Sequence, residues 1–234
     1  MKNNSLKPKS IGIIGGMGPE ASARMLGVMV GMATREFGAR NGEDFPEIIV
    51  DSIPVPDFIS DKTNIPSALK MLGSRVRKLN RFDISYFGIA CNTAHILFDD
   101  LNLISDAPFV SMIDEVAGEI LQKKISKVGL LASPMAIKAG LYQKVLKNNV
   151  EILLPTIKQT GIIEDIVRNV ISGRNSLIDS RRLMNIAKSL RKIGAEGVIL
   201  GCTELPIVFP KDRGLLVFDS VEILSRALLH KAYE

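Results

Sequence analysis

Eight short runs of β-branched, almost continuously apolar residues punctuate this chain, at 11–14, 48–53, 84–90, 109–113, 128–132, 151–154, 197–200 and 215–218. A strand with one wet face alternates apolar and polar side chains, whereas unbroken apolar runs suit strands buried on both faces of a parallel sheet. Helical periods lie between them. Leu69, Leu72, Val76 and Leu79 repeat at helical spacing within 67–81, as do Leu183, Ala187, Leu190 and Ile193 in the segment starting at Asp179. Strands alternating with helices of this length predict an α/β fold.

The order of the runs contains a repeat. Ile11-Gly-Ile-Ile-Gly15 is echoed by Val128-Gly-Leu-Leu-Ala132, Ile89-Ala-Cys91-Asn-Thr93 by Leu200-Gly-Cys202-Thr203, and Met112-Ile-Asp114-Glu-Val116 by Val217-Phe-Asp219-Ser-Val221. Three weak matches in one order predict two pseudo-symmetric lobes, each a mostly parallel sheet flanked by helices. The expected division is a flexible leader over 1–10, one lobe from 11–113 plus 219–234, and a second lobe from 114–218. Each cysteine would then end a strand at the carboxyl edge of its sheet, where open α/β folds bind ligands. Facing lobes would bring both to one interlobe cleft.

Composition excludes several functions. No apolar stretch approaches the roughly 18 residues of a membrane span, so no membrane partner is expected. The polar, basic start MKNNSLKPKS has no apolar core of a secretory signal, and two distant cysteines do not make a disulfide framework. A cytoplasmic protein with free thiols is expected. The net charge of +5 comes from 30 Lys+Arg against 25 Asp+Glu, and its clusters (Lys123, Lys124, Lys127; Arg181, Arg182) alternate with apolar helical positions. That is the pattern of a solvated helix face. With no Trp and 5% aromatic residues, a base-stacking platform is poorly supplied, so no nucleic-acid partner is expected.

The turn Gly15-Gly-Met17-Gly18-Pro19-Glu-Ala21 follows a strand and precedes a helical pattern. Gly16-x-Gly18-x-x-Ala21 formally fits the relaxed dinucleotide fingerprint, but Asp51, the acid ending the next strand, lies beyond the roughly 20 residues such a site wants. Three readings are open: a dinucleotide loop, a plain tight turn, and a wall of a small-substrate cleft. Pro19 in the first helical turn suits all three.

Cys91 lies in Gly88-Ile-Ala-Cys-Asn92-Thr93-Ala-His95, where a strand gives way to a helix. Lowering a thiol from its ordinary pKa of about 8.5 to about 7 takes roughly 2 kcal/mol, which unpaired amides at a helix N-terminus can supply. A reactive thiolate is therefore expected there. Asn92 and Thr93 could bond the helix amides or an anionic substrate. Cys202 repeats the context in Val198-Ile-Leu-Gly-Cys-Thr203-Glu204-Leu-Pro206, which favours a catalytic pair over two inert core thiols. A redox disulfide, a zinc site from Cys91, His95, Cys202 and Glu204, and a Cys91–His95 hydrolase are weaker alternatives, because Cys-x-x-Cys and close metal-ligand pairs are absent.

Gly15-Gly-Met-Gly-Pro-Glu-Ala21, Cys91-Asn-Thr-Ala-His95 and Gly201-Cys-Thr-Glu-Leu-Pro206 together resemble the cofactor-independent aspartate/glutamate racemase family, on its aspartate racemase side. The resemblance runs from about Ile11 to the C-terminus and includes Asp219-Ser220. It implies two α/β lobes with an amino-acid substrate between them, a homodimer, and no cofactor, pyridoxal phosphate included. It also implies Cys91 and Cys202 as the catalytic thiols. Inverting an α-carbon needs one group to remove a proton and another to deliver one on the opposite face, which two thiols can do. Met17, Gly18, Asn92, Thr93, Thr203 and Glu204 are the expected substrate-binding residues. Glu204 stands where glutamate racemases carry His, and its plainer reading is an acid at a helix start.

Three departures bear on specificity. Relatives acting on acidic substrates carry Ile-Pro-Asp-Arg after the second strand, its Arg binding a substrate carboxylate. Here Val55-Pro56-Asp57-Phe58 ends in an aromatic. Ala136 stands for a family Thr, and the basic residue before the following long helix aligns with Thr160, with Lys158 nearby. A side-chain pocket suited to less acidic or more varied amino acids is expected.

Overall fold

Two four-stranded parallel sheets share one strand order. The computed structural model describes residues 7–57, 61–210 and 214–234. In the first sheet β1 (Ile11–Gly15), β2 (Ile48–Ser52), β3 (Tyr86–Ile89) and β4 (Phe109–Val110) lie in the order β2-β1-β3-β4. In the second, β5 (Lys127–Ala132), β6 (Glu151–Leu153), β7 (Gly197–Gly201) and β8 (Leu216–Asp219) lie in the order β6-β5-β7-β8. Every expected strand forms, and the repeat read from the sequence is a repeat of topology. The central pairs set the register: Ile13 lies opposite Gly88, and Leu130 opposite Ile199.

Helices cover both faces of each sheet. Those of the first half are α1 (Pro19–Glu36), α2 (Ile65–Leu79), α3 (Phe98–Ile104) and α4 (Met112–Gln122). The second half has α5 (Pro134–Ala139), α6 (Leu141–Leu146), α7 (Ile157–Ile171), α8 (Leu177–Lys192), α9 (Leu205–Val208) and α10 (Ser220–Tyr233). β4 is shorter than the apolar run suggests. Ser111 accepts from the Asp114 amide and caps α4, so Met112 and Ile113 start a helix rather than extend a strand. The end of the expected leader is tied down: the Lys9 amide donates to the Ala232 carbonyl at 2.8 Å, and the Ser10 hydroxyl to that of Asp83.

The two halves cross over at their ends. Ile113, Val116 and Ile120 of α4 pack with Val128 and Leu130 of β5, whereas Leu224, Leu228 and Leu229 of α10 pack with Ile11, Ile13, Met25 and Met29. The joint between β8 and α10 is held by Asp219. Its carboxylate caps α10 by accepting from the Val221 and Glu222 amides, at 3.0 and 3.2 Å, and meets Arg24 of α1 at 2.8 Å. Asp219 is buried. Replacing it with Ala removes a cap and leaves the half-buried Arg24 with only the longer pair to Glu222, at 3.5 Å. We expect Asp219→Ala to lower the unfolding free energy by about 3 kcal/mol in urea titrations. A loss under ~1 kcal/mol would show that the joint is not held this way.

Candidate active site

Cys202 directly follows β7 and Cys91 lies one residue beyond the end of β3, the third strands of their sheets, and the loops after the neighbouring first strands lie beside them. In this strand order, the carboxyl ends of β1 and β3 flank the point where the connections diverge to opposite faces, the usual place for a cleft. A cavity of about 420 Å³ lies there, lined by Met17, Gly18, Asp57, Cys91, Arg168 and Arg174 among others. This wall needs a glycine at Gly16. Gly16 has φ +91°, and a Cβ on it would collide with the backbone of Ile53.

The glycine loop spends its amides within the protein. The Gly16 N–H donates to Ser22 Oγ at 2.9 Å, and the Gly18 N–H to Glu204 Oε1 at 3.0 Å. A dinucleotide pyrophosphate would need those donors, so the loop stands here as a cleft wall.

Glu204 is 1% exposed. Its other oxygen, Oε2, accepts from Cys202 Sγ at 2.9 Å and from Thr203 Oγ1 at 3.2 Å. Cys91 opens onto the cleft, and Cys202 lies beneath the wall, bonded to the carboxylate that holds Gly18. A charge on Cys91 also raises the Cys202 thiol, by less than burial and Glu204 do.

The thiol pKa values correct the expectation of lowered ones. Burial pushes Cys91 up to about 12, and the charge of Glu204 adds to this; the Ala94 and Thr93 amides and the Thr93 hydroxyl pull it down by less. Burial first, then Glu204, raises Cys202 well above its ordinary value. The physical reason is burial: each thiol is 5% exposed, and the hydrogen bonds from the residues that follow do not offset the desolvation of a thiolate. Burial also raises Glu204. The Cys202 thiol thus donates to the Glu204 carboxylate at hydrogen-bond distance.

Asn92 does not reach the substrate cavity as expected. Its carboxamide accepts from Tyr142 OH at 2.6 Å and donates to Ser220 Oγ at 2.9 Å. Thr93 Oγ1 meets Ser133 Oγ at 2.8 Å, and Thr203 Oγ1 reaches the Ala90 carbonyl at 3.4 Å besides Glu204. Met17 and Gly18 line the cleft. His95 is no partner for the sulfur: its Nε2 accepts from the Met112 amide at 3.0 Å, so its Nδ1–H donates to the Cys91 carbonyl at 2.9 Å. Ala136 is buried in α5, its amide capped by Ser133.

The cations on the wall are elsewhere than the sequence suggested. Lys158 and Thr160 lie at the start of α7, away from the cleft lining, while Arg168 near its end and Arg174 beyond it line the cavity. Arg168 bonds Asp57 at 3.0 Å and Glu164 at 2.9 Å, which neutralises it. Arg174 bonds Ser172 Oγ at 3.0 Å and makes no ion pair among the described residues. The signal for Arg168 was its i, i+4 spacing from Glu164, and that reads as an ordinary solvated helix pair. Phe58 lies outside the described residues.

The sequence profile of the Asp/Glu/hydantoin racemase family matches residues 14–228. The broad specificity amino-acid racemase RacX of Bacillus subtilis (strain 168) is 27% identical over 139 residues, which are 59% of this chain and 61% of RacX. The chain therefore aligns with about three fifths of that relative's length. Among solved structures, an aspartate racemase homologue from Pyrococcus horikoshii OT3 is 32% identical and superposes with a TM-score of 0.80, covering 97% of this chain and 100% of the other. The Picrophilus torridus aspartate racemase is 25% identical with a TM-score of 0.85, covering 96% and 94%. Among the described residues no helix is long and apolar enough to cross a membrane.

His95 supplies a test of this packing. Burial drops its pKa to about 4 from an ordinary 6.5. Above pH 6.5 it is neutral folded or unfolded. As pH falls through that value the unfolded chain gains the proton first, so stability falls until about pH 4. The shift corresponds to on the order of 3 kcal/mol. Glu204, raised by burial, titrates in the opposite sense, so the comparison with a variant isolates His95. Between pH 7 and 4.5, urea titrations should show a smaller acid loss in His95→Gln than in the parent; equal losses would contradict a buried neutral ring.

Proposed function

We propose, since this chain belongs to the Asp/Glu/hydantoin racemase family, that it interconverts the L- and D-forms of a free amino acid with Cys91 and Cys202 as the two acid/base groups. The supporting observation is that Cys91 lines the cleft while Cys202 is bonded to Glu204, the buried carboxylate that also holds Gly18 of the same lining. The lobes that flank this cleft are 11–113 plus 219–234 and 114–218, and the working unit is a homodimer in the cytoplasm.

The reaction moves one proton across the α-carbon. A thiolate on one face takes the α-proton and becomes a thiol; the electron pair spreads into the substrate carboxylate; the thiol on the other face gives its proton to the carbon and becomes a thiolate. The scheme balances with no added electron acceptor. Buried thiols with raised pKa values need a nearby positive charge to ionise, and the substrate's own ammonium group supplies one. Amides of the turn after Cys91 and the Thr203 region stabilise the developing carboxylate charge.

For the side chain, Arg174 offers on the cavity lining a cation without an ion pair among the described residues, whereas the sequence has Phe58 for the family's arginine. An acidic amino acid of aspartate size is the substrate that fits this wall. A broader range is the second reading, favoured by the apolar Met17, Val55 and Ile171 on the same cavity.

Circular dichroism of a panel of single-enantiomer amino acids, under reducing conditions without added cofactor, tests both. Aspartate should lose its signal with the parent, and Cys91→Ala or Cys202→Ala should each slow this by about 10³-fold. Full activity in either variant would remove the two-thiol scheme. Arg174→Ala should raise KM for aspartate by about 10-fold or more, the loss of one charge-assisted contact, while leaving neutral amino acids nearly unchanged. Equal changes for both classes would favour the broader reading.

A further inference from the structure

We infer that a buried hydrogen-bonded bridge, Tyr142 to Asn92 to Ser220 to the Leu200 carbonyl, sets the spacing of the two sulfurs, making Asn92, Tyr142 and Ser220 positioning residues for inversion. The inference rests on the two-thiol reading.

Asn92 adjoins Cys91, so any movement of its backbone moves the cysteine. Its carboxamide leaves the first sheet and is held at both ends by the second half of the chain. Tyr142 of α6 is wholly buried and donates to Oδ1 at 2.6 Å; Nδ2 donates to Ser220 Oγ at 2.9 Å. Ser220 in turn donates to the Leu200 carbonyl at 2.8 Å, two residues before Cys202 on β7. The donor order is forced. The single hydroxyl proton of Ser220 goes to Leu200, so its oxygen must accept from Asn92, which points the amide nitrogen at Ser220 and leaves Oδ1 for the tyrosine. One continuous path of two side chains therefore ties the residue after one thiol to the strand that ends in the other. All three side chains are buried, where an unmade bond is expensive and the geometry is correspondingly fixed.

Inversion requires both sulfurs at reacting distance on opposite faces of one carbon, and a misplacement near 1 Å can lower a rate about 10²-fold. Exchange of the α-proton with retention requires only one sulfur. The bridge therefore governs the ratio of the two events, and that ratio does not depend on how much of a variant is folded.

The experiment follows one enantiomer of an amino acid turned over by the parent, in deuterated solvent, separating inverted product from α-deuterated substrate of unchanged configuration. For Asn92→Ala, Tyr142→Phe and Ser220→Ala, inversion should fall about 10- to 100-fold relative to retained exchange. The near-isosteric Tyr142→Phe guards against gross misfolding. A ratio equal to the parent's in all three variants overturns the inference, whether their rates fall together or not at all. A parent that exchanges no α-proton of any amino acid overturns the racemase reading itself, and the inference with it.

Discussion

A carboxylate with almost no contact with water must find donors for both oxygens, and Glu204 finds them in two halves of the chain. One is the amide of Gly18 in the first glycine loop; the others are the thiol of Cys202 and the hydroxyl of Thr203. Removing the Gly18 amide's bond would leave Oε1 unsatisfied, at about 1–3 kcal/mol or more for a charged group. One buried group thus holds the cleft wall and, together with burial, raises the Cys202 thiol. The same low-polarity setting that raises both thiols makes them sensitive to any charge that enters the cleft.

The two halves repeat in topology but not in chemistry. Both sheets place their third strand beside the first and end it in Cys-Asn-Thr or Cys-Thr-Glu. Cys91 is met by backbone amides and the Thr93 hydroxyl, whereas Cys202 is met by a carboxylate. The two thiols of the proposed reaction therefore stand in unlike surroundings. The side chains after each cysteine reach towards the opposite lobe: Asn92 accepts from Tyr142, and Thr203 Oγ1 lies within reach of the Ala90 carbonyl. The lobes are joined at the chemistry rather than at a remote hinge.

The architecture was legible because a strand buried on both faces leaves an unbroken apolar run, and the cysteines stood out because their contexts recur. Three things were not legible, each for a physical reason. Asn92 follows a cysteine and has the donors of a ligand-binding residue, yet its partners lie far along the chain, where only the folded structure brings them. The thiol pKa values depend on burial weighed against the hydrogen bonds from the residues that follow, and sequence shows neither. Arg168 and Arg174 sit at the end of a helix whose charged residues look like any solvated face, so the cation was sought at the wrong end, around Lys158 and Thr160. The division between β4 and α4 also turned on a local cap, Ser111, that overrode an apolar run.

The most direct measurement is a crystal structure of the chain with the turned-over amino acid bound. The account predicts the α-carbon between Cys91 Sγ and Cys202 Sγ, each roughly 3.5 Å away on opposite faces. A substrate seated in the cleft with either sulfur on the same side as the other, or turned away from the α-carbon, would contradict it.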